Sequence, residues 1–110
     1  MTLSDHQWRF LRDLALLIQW SERQGYKLTG GDLYRDPRAP YGIAKSLHKR
    51  RLAVDLNLFI PDGDGWQYVT ASEHHRPLGE FWESLDPLNR WGGRFRDGNH
   101  YERVPGGWRQ

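Results

Sequence analysis

Between Leu52 and Ile60 the sequence alternates without a break. Leu52, Val54, Leu56, Leu58 and Ile60 fall on one side, and Ala53, Asp55, Asn57 and Phe59 on the other. Strict period-two patterning predicts a β-strand with one aliphatic face turned to the core. It leaves an acid, Asp55, on the opposite face in need of a partner. His48 lies seven residues upstream, and an odd separation would put it on the wrong face of an unbroken strand. The chain must therefore bend around Lys49 to Arg51 for the two to converge. With His100 they would form a set of two histidines and one carboxylate, which suits a catalytic zinc ion with an open fourth position. Asp97, three residues before His100 in a Gly-Asn turn, is the candidate for a carboxylate that is not a ligand. Such a group takes a proton from water and returns it to a leaving amine.

Composition narrows the classes open to the chain. Its 110 residues make one small domain, 1–110, with a single core. A content of 37% hydrophobic and 27% charged residues, with six Trp, describes an ordered protein rather than a disordered tail. There is no cysteine, which excludes disulfides, thiolate catalysis and cysteine-based zinc fingers. Any metal must rest on His and carboxylate. The longest apolar run, Leu14 to Ile18, is too short to span a bilayer, and the N-terminus has no signal-peptide pattern. A protein made in the cytoplasm is the expectation. The formal charge of +2 permits attraction to an anionic polymer without saying which.

In chain order, Ser4 and Gln7 have capping-box spacing, and Trp8, Leu11, Leu14, Ala15, Leu17 and Ile18 recur at three and four. A helix over residues 4–24 follows, with that stripe in the core and Gly25 as its stop. Tyr26 to Thr29 is a short strand candidate, broken by Gly30 and Gly31. Residues 30–44 form a Gly- and Pro-rich loop carrying Tyr34, Arg35 and Arg38. The strand at 52–60 is expected to stop at Pro61, turn at Asp62 to Gly65 and return through Trp66 to Thr70 as a hairpin. A second helix starts at Ser72 and Glu73, buries Leu78, Phe81, Trp82 and Leu85, and ends at Pro87. A Gly- and Arg-rich passage, 91–98, leads to a last strand at Asn99 to Val104. The expected fold class is α+β, a small, mainly antiparallel sheet with helices packed on one side.

The stretches SLHKRRLAVDLNLF and WESLDPLNRWGGRFRDGNHYE together resemble the zinc DD-peptidase and L-alanyl-D-glutamate peptidase family. That family includes phage endolysins and D-Ala-D-Ala dipeptidases. The match is Ser-x-His, six residues, Asp, and later an acid-x-x-His, borne here by Ser46, His48, Asp55, Asp97 and His100 within residues 25–104. The resemblance implies a hedgehog/DD-peptidase-like fold, zinc on His48, Asp55 and His100, and Asp97 as general base and acid. It further implies Ser46 near the ligands and an upstream arginine, Arg35 or Arg38, holding a substrate carboxylate or carbonyl. The implied substrate is the stem peptide of bacterial peptidoglycan, reached by a monomer released with the help of a holin from a phage-infected cell. No nucleic acid or transmembrane segment enters that picture. Arg51 departs from the pattern, standing where many relatives have Gly.

Two readings compete with a peptidase. Lys45, Lys49, Arg50 and Arg51 could form a phosphate-contacting patch on a basic module that binds nucleic acid or cell wall without catalysis. Alternatively, a virion structural protein could keep the metal and lose the reaction. His74 and His75, being adjacent, point in different directions and do not serve one metal. Glu102 shares a strand face with His100 and is placed to orient it.

Overall fold

The computed structural model describes residues 1–31 and 50–106. Arg35, Arg38, Ser46 and His48 lie outside the described residues. The order is helix α1 (Leu3–Arg23), strand β1 (Lys27–Gly30), strand β2 (Ala53–Asp62), strand β3 (Gly65–Val69), helix α2 (Ser72–Leu85), strand β4 (Asn89–Trp91), a 3-10 turn at Gly92–Phe95, and strand β5 (His100–Arg103). All strand pairs are antiparallel. The fold is therefore the expected α+β arrangement of a small antiparallel sheet and two helices.

β2 is the strand on which the others depend. β1 pairs along one of its edges, opposite Leu56 to Phe59. The other edge is shared, β5 lying opposite Ala53 to Asp55 and β3 opposite Leu58 to Asp62, and β4 then pairs with β5. β2 runs on through Pro61 to Asp62 instead of stopping at Pro61. β1 reaches only to Phe59, so the missing N–H of Pro61 falls where no strand needs a donor, as edge proline requires.

The helix–sheet core follows the alternation. Leu52, Val54, Leu56 and Leu58 are buried against Leu17, Leu78, Trp82 and Tyr101. α1 meets α2 through a T-shaped Phe10–Trp82 contact at 5.5 Å and a stacked Trp20–Phe81 pair at 4.7 Å. The expected α1 stripe is corrected here. Its buried line is Phe10, Asp13, Leu17 and Ser21, whereas Trp8, Leu11 and Ile18 are exposed. Two polar members of that line are satisfied internally, which hides it from an apolar pattern. Asn89 Nδ2 donates to Asp13 Oδ2 at 3.1 Å, and the Ser21 hydroxyl donates to Leu17 O at 2.8 Å.

The helix start also moves. The capping box is Thr2 with Asp5 rather than Ser4 with Gln7: Asp5 N donates to Thr2 Oγ1 at 3.3 Å and Thr2 N donates to Asp5 Oδ2 at 2.9 Å. Gln7 instead donates to Arg50 O at 3.0 Å, tying α1 to the turn that delivers β2. In that turn Arg51 has φ +61, so the expected bend is present and falls on a left-handed residue. A glycine adopts that conformation without strain.

Candidate active site

Register brings Asp55 and His100 together. They are direct cross-strand partners, and Leu56 N donates to Asn99 O at 2.8 Å just beyond them. That bond makes Asp55–His100 a non-hydrogen-bonded pair, the type in which facing side chains approach closest. The backbone of Asp55 is held on its other edge too, because Gly31 N donates to Asp55 O at 2.7 Å. His100 Nδ1 stands 3.1 Å from Asp55 Oδ1, and His100 Nε2 stands 2.6 Å from Glu102 Oε1.

Glu102 reaches His100 because it lies two residues along the same strand face and is opposed by a small residue, Ala53. Glu102 is 1% exposed, and its carboxylate is gripped by Arg90, whose Nε and terminal guanidinium nitrogen both lie 2.5 Å from Glu102 Oε2. Asn89 and Arg90 belong to β4, within the Gly- and Arg-containing run before β5. A strand of three residues is too short to show a period, so Arg90 gave no signal of its role.

Burial alone would lower the pKa of His100. The hydrogen bonds to Asp55 and Glu102, with their charges, outweigh it and push the value up to about 9. An unfolded histidine titrates near about 6.5. The charged imidazole therefore stabilises metal-free protein fully below that unfolded value, and the contribution is lost as pH rises through about 9. Chelated protein is expected to melt at lower temperature at pH 9 than at pH 6.5, and His100→Gln to flatten that dependence. Thermal denaturation across this range measures it, and an equal slope in both proteins would refute it.

Asp97 sits on the turn before β5, exposed, fixed through its backbone. Asp97 N donates to Gly92 O at 2.9 Å and His100 N donates to Asp97 O at 3.1 Å. Asp97 lines a cleft of about 180 Å³ in the notch where the edge of β2 passes from β5 to β3. His75 lines the inner end, buried, with Nδ1 2.7 Å from the Tyr101 hydroxyl. Burial holds the imidazole of His75 down at about 4, so it is neutral, and pushes the Tyr101 phenol up.

Among the described residues no group of three or more His, Asp or Glu is arranged to hold a metal ion. The third donor of the expected set is His48, outside the described residues. The two donors that are described fit zinc. Their nitrogen and oxygen, 3.1 Å apart, nearly span the roughly 3.3 Å edge of a tetrahedron with bonds of about 2.0–2.1 Å. The far nitrogen of His100 faces a carboxylate, the usual outer partner of a ligating imidazole.

The described part of the site is thus an acid and an imidazole side by side on an antiparallel sheet, backed by a buried carboxylate, with a second acid on the turn three residues before the imidazole. The chain belongs to a peptidase family: the family model described as D-alanyl-D-alanine carboxypeptidase matches residues 41–103, more than half of its length. It is thus a peptidase of a cell-wall-directed family. Ser46, His48, Asp55, Asp97 and His100 fall inside the match, while Arg35 and Arg38 precede it. A search of curated proteins finds no match. Among the described residues no helix is long and apolar enough to cross a membrane.

Proposed function

We propose that the protein hydrolyses a peptide bond in the stem peptide of peptidoglycan, of the D-Ala-D-Ala or L-alanyl-D-glutamate type, as a zinc enzyme. The Asp55–His100 pair with Glu102 behind it carries this reading, because it fixes two donors at zinc-ligand separation inside the family match. His48 completes the donor set. When bound, zinc polarises the scissile carbonyl and lowers the pKa of water from about 15.7 toward about 7.

The chain's own groups do the rest. Glu102 fixes the ring of His100 by accepting from Nε2–H, leaving Nδ1 for the metal. Asp97 accepts a proton from the attacking water; the water oxygen bonds to the carbonyl carbon, the carbon–nitrogen bond breaks, and Asp97 returns the proton to the departing amine. Ser46 lies near the ligands, and Arg35, with Arg38 as its rival, holds a substrate carboxylate or carbonyl through its guanidinium. The protein acts as a monomer on the wall after holin-dependent release from a phage-infected cell.

Zinc content and mass spectrometry of digested peptidoglycan test the reading together. Wild-type protein is expected to bind one zinc and to release new amino termini, and His48→Ala to lose both. Full cleavage by His48→Ala would overturn the mechanism. Salt-sensitive wall or nucleic-acid binding without cleavage would favour a basic binding module.

A further inference from the structure

Four arginines lie on β4, on β5 and on the turn between them. Arg90 pairs with Glu102, Arg94 makes a two-pronged contact with Glu83, and Arg103 pairs with Asp86. Arg96 has no carboxylate partner among the described residues. It is exposed and closes the 3-10 turn with φ +65, a conformation that costs a non-glycine residue roughly 1–2 kcal/mol and glycine almost nothing. A cation with no carboxylate partner among the described residues, at a strained position next to the proposed general base, calls for a function.

Arg96 and Asp97 line the same cleft. Thr70, Ser72 and Asn99 add side chains with hydrogen-bond donors, none of them engaged by another described residue. Among the described residues that line it, the cleft therefore offers one guanidinium and several uncharged donors, with Asp97 as the one acid. Its volume of about 180 Å³ equals roughly six waters' share of liquid, room for a carboxylate on a short side chain.

We infer that this cleft is a carboxylate subsite in which Arg96 holds the carboxylate of the residue whose nitrogen departs. The inference rests on the peptidase reading above. Asp97 hands its proton to the leaving nitrogen, so the residue bearing that nitrogen lies on the Asp97 side, where Arg96 is the adjoining side chain. In a D-Ala-D-Ala terminus and in a γ-linked D-glutamyl residue alike, the carbon bonded to the scissile nitrogen carries a free carboxylate. One guanidinium serves either source. Arg96 is separate from Arg35 and Arg38, which precede β2.

The test uses the amine-side products, which bind without being hydrolysed. Full-length zinc-loaded protein is titrated with D-alanine and with a γ-D-glutamyl peptide, each as free acid and as α-amide, and followed by NMR. Wild-type protein is expected to bind at least one acid about tenfold or more tightly than its amide, as a charge-assisted contact to a guanidinium supplies. The acid that shows the preference identifies the source. Arg96→Gly, which suits φ +65 and keeps the fold, is expected to abolish the preference, and Arg96→Lys to retain part of it. Equal binding of acid and amide by wild-type protein, no binding of either acid, or a preference unchanged in Arg96→Gly would overturn the subsite. Failure of the peptidase reading appears separately, as intact peptidoglycan after incubation with wild-type protein.

Discussion

Asp97→Asn is expected to slow peptide hydrolysis by about 10²- to 10⁴-fold, the usual contribution of a positioned general base, while zinc content and melting temperature stay near wild type. Asp97 is exposed, and its backbone, not its carboxylate, makes the bonds that shape the turn. An amide of the same shape therefore leaves the turn in place and removes only the proton acceptor. Single-turnover hydrolysis of a stem-peptide substrate, alongside metal analysis, separates the two effects. A rate within a few-fold of wild type would remove Asp97 from the mechanism, and loss of zinc would make it a ligand instead.

Gly92→Ala should injure the same centre by displacement. A Cβ at this position would sit 2.3 Å from Asp97 O and 2.8 Å from the Cβ of His100. The first of these is backbone, which cannot swing aside as a side-chain tip can, so the turn carrying Asp97 and the start of β5 must move. A misplacement of about 1 Å can cost about 10²-fold in rate, and overpacking of this kind costs about 1–3 kcal/mol in stability. Gly63→Ala is the matched control. It sits at φ +59 in the β2–β3 turn with nothing within 4 Å, so it should lose some stability but keep its specific activity. Equal activity in the two variants would show that the turn yields without moving the site.

Much of this arrangement was legible from a handful of residues. The alternation from Leu52 to Ile60 announced β2 and its faces because a strand of that length repeats its period several times. The odd separation of His48 and Asp55 asked for a bend at Lys49 to Arg51; Arg51, its last residue, is left-handed at φ +61, and His48 and Lys49 lie outside the described residues. Glu102 could be placed beside His100 by parity alone. What escaped were features whose signal is not periodic. β4 is three residues long, and the grip of Arg90 on Glu102 depends on a pairing between β4 and β5 that no local pattern encodes. The buried line of α1 was disguised because Asp13 and Ser21 find their partners within the fold. The cleft beside Asp97 belongs to no single segment, since it exists only where two strands share one edge of β2. Ser46, His48 and Arg35 remain expectations from sequence, lying outside the described residues.

The pairing of Asp55 with His100 ties catalysis to folding in a further way. Sliding β5 by one residue against β2 would set Tyr101 or Asn99 opposite Asp55, and His100 would exchange faces with the buried Tyr101. The same slip would pull Tyr101 away from His75 and Trp82 and drive a charged imidazole into aliphatic surroundings. A misregistered chain is thus not a quiet, well-folded but inactive protein: it has no sound interior either. Errors in strand alignment are screened out by instability before they can accumulate as inert product.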